Sequence, residues 1–203
     1  IVVSDVDDTI KVTNIRDPKE KLQNTFLKPF VAVPGMAALY RSWQAAFGPR
    51  IHFHVVSAGP WQFNEALRRF TEEAGFPPFT WTMRSVDVGN PVAILEVLGT
   101  DPADYKVQAI RALMARFPKR HFVLVGDSGE QDPDAYARVV AEFMDRVDAV
   151  YIRDVTGEDC AAGRYTTLFT PAGKAKLSVF RDPGELPPLG PSSPAPGLCA
   201  PKR

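Results

Sequence analysis

The sequence predicts a three-layer α/β fold, in which a mostly parallel sheet carries helices on both faces. Short apolar runs that end in polar or glycine-rich loops alternate along the chain with helical patterns. Each run is too continuous for a half-exposed strand, so we expect strands that are buried on both faces. Strands that alternate with helices need crossover connections, which favour a parallel, Rossmann-like sheet.

Runs rich in β-branched and aromatic residues predict four strands, at residues 1–4, 51–56, 121–125 and 149–152. The periodicity of apolar residues predicts helices at residues 36–46, 61–74, 102–117 and 133–147. Proline in the first turn, as at Pro102, and glycine after the last, as at Gly75, support the helix ends.

Composition indicates one folded domain. The 203 residues are 45% apolar and 24% charged, which suits a buried core, and the formal net charge is zero, which gives no general attraction to nucleic acid. No apolar run approaches the roughly 18 residues that span a bilayer, so any membrane contact is expected to be peripheral. Seven of the 19 prolines fall after residue 182. We therefore place the catalytic domain at residues 1–182 and a disordered, proline-rich tail at 183–203.

The two cysteines, Cys160 and Cys199, are a poor disulfide framework because the second lies in this tail. We expect free thiols, a reducing compartment and therefore a cytoplasmic protein, with peripheral membrane contact as a further option. The chain starts inside a strand without an initiating methionine, and we expect a preceding region to be missing.

Two carboxylates follow the first strand. Asp5 and Asp7 are two residues apart on an extended segment and should leave the strand on the same side. Ligand sites in parallel sheets lie at this carboxyl edge. One carboxylate there can attack phosphorus beside a divalent metal, and the other can protonate the leaving oxygen and then activate water. The alternative is an acidic, solvated turn in which Asp8 or Thr9 caps the next element.

Later segments supply groups that could hold a phosphoryl group. Ser57, Ala58 and Gly59 follow the strand at 51–56 and offer a hydroxyl and backbone amides, although Ser57 could instead cap the next helix. Lys106 lies in an early turn of a predicted helix, from which it could reach the carboxyl edge, and an isolated helical lysine is otherwise usually solvated. Trp61 could line the pocket or merely pack.

The loop after the strand at 121–125 provides a metal anchor. Asp127 follows that strand as Asp5 follows the first, and we expect it to bind the metal. Asp132 could be an outer metal residue or the N-cap before Pro133. His52 and His54 share one face of a strand, but they lie towards its beginning, so we do not expect a zinc site there.

In order along the chain, these motifs resemble the haloacid dehalogenase superfamily over residues 1 to about 155. The sequences Ser-Asp-Val-Asp-Asp-Thr-Ile, Val-Ser-Ala-Gly-Pro-Trp-Gln and Gly-Asp-Ser-Gly-Glu-Gln-Asp-Pro-Asp-Ala-Tyr are similar to the actin-patch phosphatidate phosphatases, relatives of the lipins. The resemblance implies the following roles: Asp5 as nucleophile, Asp7 as acid/base, Ser57 and Lys106 as phosphoryl-binding groups with Thr9, Ala58 and Gly59 beside them, and Mg²⁺ on Asp5, the Asp7 carbonyl and Asp127, with Asp132 nearby.

The gaps between the motifs are too short for a large cap domain, so the substrate should be large or embedded in a surface. We expect a Mg²⁺-dependent phosphatase that converts phosphatidate to diacylglycerol through an aspartyl phosphate. The alternatives are a protein or polynucleotide phosphatase and a non-catalytic lipid-sensing module. A basic segment at residues 11–28, helped by Phe26 and Phe30, could rest on an anionic membrane or be a solvated loop; its cations are Lys11, Arg16, Lys19, Lys21 and Lys28.

Overall fold

The computed structural model describes residues 1–14, 17, 19–20, 28–85, 101–186, 189–190 and 197–199. Its strands are β1 (Val2–Ser4), β2 (Phe53–Pro60), β3 (Phe79–Arg84), β4 (Phe122–Asp127), β5 (Val147–Arg153) and β6 (Leu177–Phe180). They form one sheet in the order β3-β2-β1-β4-β5-β6, and every neighbouring pair is parallel. The predicted three-layer α/β architecture is confirmed.

Helices connect and cover the strands. They are α1 (Met36–Phe47), α2 (Asn64–Glu73), α3 (Pro102–Arg116), α4 (Asp132–Glu142), α5 (Gly163–Leu168) and α6 (Pro171–Lys174). Short 3₁₀ turns lie at Gly48–Arg50, Trp61–Phe63 and Pro183–Glu185. The side chain of Asp101 caps α3 by accepting the Ala103 N–H, and Pro102 follows it at the start of the helix.

Successive strand residues serve opposite faces of the sheet, as strand geometry requires. Val3 belongs to the core cluster that contains Val107 of α3 and Val139 of α4. Its neighbour Val2 belongs to the other cluster, with Tyr40 of α1. The two buried clusters thus lie on opposite faces of the sheet, each between the sheet and a layer of helices.

The structure contains two strands that were not predicted from the sequence, and one helix is shorter than predicted. β3 alternates aromatic and threonine side chains at the sheet edge, and β6 is only four residues long, so neither has a long apolar run. The helix predicted at 133–147 ends at Glu142, because Phe143 leaves the helical conformation with φ −126° and ψ 41°, and β5 begins at Val147. The other predicted elements are present with small shifts of their ends.

Described residues beyond position 182 contact the fold. Leu186 and Leu189 are buried in the core cluster that also contains Val2. Cys199 donates its N–H to the carbonyl of Leu177 in β6 and forms a disulfide with Cys160. The expectation of free thiols is therefore wrong, and with it the argument for a reducing compartment. The rest of the predicted tail, at 187–188, 191–196 and 200–203, lies outside the described residues.

Within the described ranges, no helix has both the length and the apolar character that crossing a bilayer requires. The predicted lack of a large cap domain depends on the segments after β1 and β3. Residues 21–27 and 86–100 of those segments lie outside the described part of the chain. The lack of a cap therefore stays a prediction from spacing.

Candidate active site

The candidate site lies where β1 and β4 meet at the carboxyl edge of the sheet. Ser4 is in register with Val125, and the Asp5 N–H donates to the Val125 carbonyl at 2.9 Å. The strand order reverses direction at this pair, and such a switch point leaves a crevice outside the strand ends. Asp5 and Asp127, which follow or end these strands, are thereby brought together.

Lys106 of α3 is buried among carboxylates. Its ammonium lies 2.8 Å from Asp5 Oδ1 and 3.7 Å from a Glu130 oxygen, and it donates a very short hydrogen bond to Asp132 Oδ1. The side chain is only 2% exposed. Lys106 therefore reaches the carboxyl edge, and it does so as a buried ion-pair partner rather than as a solvated helical lysine.

Asp132 lies behind the strand ends as the first residue of α4. Its Oδ2 accepts the Asp127 N–H at 3.1 Å while its other oxygen binds Lys106. Gln131 occupies the N-cap position, so the capping role that we considered for Asp132 is wrong. A Cβ at Gly126 would lie 2.6 Å from Asp132 Cγ, so this close approach requires glycine.

Three carboxylates could hold a metal ion. One oxygen each from Asp5, Asp127 and Glu130 lies within 4.8 Å of the others. The second oxygens of Asp5 and Asp127 are buried and accept no hydrogen bond within the described part of the chain. Buried carboxylate oxygens without donors are costly, and a hard divalent cation such as Mg²⁺ takes such ligands. The residues present therefore fit the predicted metal.

The charges of the site are unbalanced. Burial raises the pKa of Asp5 well above its usual range, Lys106 opposes the shift, and the nearby carboxylates reinforce it. Burial and then Asp132 raise the pKa of Asp127 in the same way. Burial alone would lower the pKa of Lys106, but the surrounding carboxylates raise it well above its usual value. One ammonium thus faces several carboxylates, and a bound cation would supply the missing positive charge.

Asp7 has a separate environment. Its Oδ1 lies 2.9 Å from the Lys11 ammonium and accepts a hydrogen bond from the Thr13 hydroxyl. The Asp7 side chain is 28% exposed, whereas that of Lys11 is 3% exposed. Asp8 closes the turn between them with a φ of 51° and accepts the Thr13 N–H at 2.9 Å. Asp7 is therefore fixed at one oxygen and open to solvent, which suits proton exchange with a substrate.

Apart from Lys106, the predicted phosphoryl-binding groups lie on β2 and after β1. Ser57 is a strand residue whose Oγ accepts the Gly59 N–H at 3.1 Å, so the alternative of a helix cap at Ser57 is wrong. Ala58 and Gly59 are half-buried and continue the same strand. The Thr9 hydroxyl is buried and has no hydrogen-bond partner within the described residues.

The two histidines bind hydroxyls rather than one another. His54 contacts Thr80 and Thr82 through its two ring nitrogens at 2.6 and 2.9 Å, and His52 contacts Thr80 at 2.7 Å. Among the described residues, the one group of carboxylate, histidine or cysteine side chains arranged for a metal is that of Asp5 and its neighbours. The histidines thus join β2 to β3.

The basic segment at 11–28 differs from the expected patch. Lys11 is buried against Asp7 and lies 5.0 Å from the centre of the Phe30 ring, and that ring packs edge-on against Phe70 of α2. Lys19 and Lys28 are exposed. The other members of the patch, Arg16, Lys21 and Phe26, lie outside the described residues.

Sequence reasoning missed several residues of this site. Glu130 joins the carboxylate group from the loop after β4, and its spacing of three from Asp127 within a glycine-containing turn was the available signal. Arg153, at the end of β5, donates to the Asp8 carbonyl at 2.7 Å. Nothing local in the sequence marks Arg153, because the contact spans 145 residues.

Comparison with known proteins gives a consistent result. The family model described as "Phosphatidate phosphatase APP1, catalytic domain" matches residues 1–154. Phosphatidate phosphatase APP1 of Saccharomyces cerevisiae is 32% identical over 155 residues, which are 75% of this chain and 25% of that protein. An uncharacterized protein of Schizosaccharomyces pombe is 29% identical over 162 residues, 78% of this chain and 26% of its own length. The chain thus spans about a quarter of each of these relatives.

Proposed function

The chain belongs to the phosphatidate phosphatase APP1 catalytic-domain family, and we propose that it is a phosphoric monoester hydrolase that converts phosphatidate to diacylglycerol. The observation that carries this proposal is the group of Asp5, Asp127 and Glu130 carboxylates beside buried Lys106, within the residues that the family model matches. A hydrolase of this kind needs a nucleophile, a proton donor and compensation for phosphoryl charge.

We propose that Asp5 is the nucleophile. Its carboxylate oxygen attacks phosphorus, the bond between phosphorus and the diacylglycerol oxygen breaks, and Asp7 gives a proton to that oxygen. Asp7 then takes a proton from water, which attacks the aspartyl phosphate, frees inorganic phosphate and regenerates Asp5. The solvent access of Asp7 and its anchoring by Lys11 support this division of roles.

Mg²⁺ would be held by Asp5, Asp127 and Glu130, with Asp132 behind them and the Asp7 carbonyl as a further predicted ligand. When bound, it would neutralise charge on the phosphoryl oxygens. Lys106 contributes a second positive charge and keeps one Asp5 oxygen in place. The Ser57 hydroxyl, whose oxygen accepts the Gly59 N–H, would donate its own proton to the phosphoryl group from the neighbouring strand, and the Thr9 hydroxyl would donate from the turn after β1.

Hydrolysis of phosphatidate in mixed micelles, compared with a soluble phosphomonoester and with and without Mg²⁺, tests this proposal. We expect a preference for the lipid and loss of activity in excess EDTA. Asp5→Asn should lower kcat at least about a hundredfold, since the nucleophile is lost, and Asp7→Asn should lower kcat with little effect on lipid binding. Full activity in EDTA would contradict the metal, and a residual rate above about a tenth in Asp5→Asn would contradict the covalent step.

We also propose peripheral contact with an anionic membrane at the carboxyl edge. Trp61, which follows the end of β2, is 50% exposed, and Val31 is 59% exposed. Lys19 and Lys28 are the exposed cations of the described part of the 11–28 segment. Each basic residue near such a surface contributes about 1 kcal/mol and is screened by salt.

A double substitution of Lys19 and Lys28 by Gln should weaken binding to liposomes and hydrolysis of membrane phosphatidate while sparing a short-chain soluble analogue. The matched control is Lys119→Gln with Arg116→Gln, which removes the same charge from two exposed residues that precede β4. Equal loss on both substrates would point to catalytic damage, and no loss on either would remove the membrane role of these lysines.

A further inference from the structure

Arg164, near the start of α5, binds the backbone of the loop that follows β4. Its Nη1 donates to the Ser128 carbonyl at 2.7 Å, and its Nη2 donates to the Glu130 carbonyl at 2.7 Å. These two carbonyls flank Gly129, whose N–H donates to Asp127 Oδ1 at 2.6 Å. The guanidinium thus holds the backbone between two of the carboxylates that could bind the metal.

The guanidinium is itself held in place. Asp134 Oδ2 accepts from Nη2 at 2.9 Å, and Glu158 approaches Nη1 at 3.8 Å from the loop after β5. The Arg164 side chain is 26% exposed. A planar guanidinium can donate to several acceptors at fixed angles, whereas a lysine ammonium is a point charge without that geometry. The arrangement therefore depends on arginine.

We propose that Arg164 is a positioning residue for the metal site, because it fixes the 127–130 loop so that Asp127 and Glu130 face Asp5. This inference rests on the proposed function, in which those three carboxylates hold Mg²⁺. Arg164 lies beyond residues 1–154, so the family match does not include it. Residues that orient metal ligands change metal affinity by about 10- to 100-fold when they are lost.

The test compares Arg164→Ala and Arg164→Lys with Arg146→Ala in the whole chain. Arg146 is a matched control because its guanidinium also donates to backbone carbonyls, those of Met114, Phe117 and Arg120, but it lies before β5, at the opposite edge of the sheet. Two quantities are measured: the dissociation constant for Mg²⁺ by calorimetry without substrate, and hydrogen exchange at the Gly129 and Glu130 amides of the Mg²⁺-free protein.

We expect Arg164→Ala to raise the Mg²⁺ dissociation constant about 10- to 100-fold and Arg164→Lys to recover only part of it. Both amides, which donate to Asp127 Oδ1 in the wild type, should exchange at least about tenfold faster in Arg164→Ala, because the loop opens locally. Arg146→Ala should leave both readouts unchanged, even where it lowers the melting temperature as much as Arg164→Ala does.

A folded Arg164→Ala protein with a wild-type Mg²⁺ dissociation constant would overturn the inference, even if exchange quickened, because Arg164 would then be only structural. If Arg164→Ala does not fold, Arg164→Lys is judged by the same criterion. If the wild type binds no Mg²⁺, the metal assignment in the proposed function is wrong. Independently of that result, unchanged hydrogen exchange in the Arg164 variants would show that Arg164 does not fix the loop.

Discussion

Replacing Lys106 by Met tests the central electrostatic feature of the site. The side chain is 2% exposed, its ammonium is 2.8 Å from Asp5 Oδ1, and it also binds Asp132. Methionine matches the aliphatic stem but leaves these carboxylates buried and unpaired. Removing one partner of a buried ion pair costs about 3–5 kcal/mol, a large share of the roughly 5–15 kcal/mol that stabilises a typical domain.

Equilibrium unfolding in urea measures this cost, and α3 offers a matched control. Arg111 pairs with Glu142 on the surface, where the two side chains are 45% and 40% exposed, so Arg111→Met should cost at most about 1 kcal/mol. Adding Asp132→Asn to Lys106→Met should recover part of the loss, because the amide is uncharged, and the double-mutant cycle gives the coupling energy. A cost for Lys106→Met no larger than that for Arg111→Met would refute the reasoning.

Two further predictions concern stability. Reduction of the bond between Cys160 and Cys199, which are 39 residues apart, should lower the free energy of unfolding by about 4 kcal/mol, as urea unfolding with and without reductant measures; two free thiols in the native protein would contradict it. Burial lowers the pKa of His54 from 6.5 to about 4. The stability that the neutral ring contributes to the folded protein is therefore fully present above pH 6.5 and is lost as the pH falls towards 4. Unfolding at pH 7 and pH 5 should show a loss of about 2 kcal/mol that His54→Gln lacks, and an equal loss in both proteins would be the contrary result.

The sequence predicted the parts of the fold that have a local cause. β1 and β4 are continuous apolar runs, and the polar residues at their ends therefore fell at one edge of the sheet. β6 has only four residues, and the position of Cys199 depends on its hydrogen bond to Leu177 in that strand. The disulfide was missed because the strand that brings Cys199 back to the fold was missed first.

The charged residues of the site also divide into those that a local sequence pattern predicted and those that it did not. Asp5 and Asp127 were identified because each directly follows or ends a strand, which is a local pattern. Lys11 was predicted to be a surface charge. It is buried because the left-handed turn at Asp8 brings it against Asp7, and the sequence does not show that turn. Glu130 is one of several acidic residues in its neighbourhood, and its distance from Asp5 is a property of the packed sheet. The local turn at Asp8 and the packing of the sheet thus fix the positions of Lys11 and Glu130, and a single sequence displays neither.

The cations that hold the segment after β1 come from elements much later in the chain. Lys106 of α3 and Arg153 of β5 bind the segment after β1, at Asp5 and at the Asp8 carbonyl. Arg164 of α5 binds the loop after β4. The turn that carries Asp5 and Asp7 is at the start of the chain, but its contacts are complete only when α3, β4 and β5 have packed beside it. Because α5 follows residue 154, the residues that the family model matches include Asp5, Asp127 and Glu130 but not Arg164, which binds the loop that carries the last two.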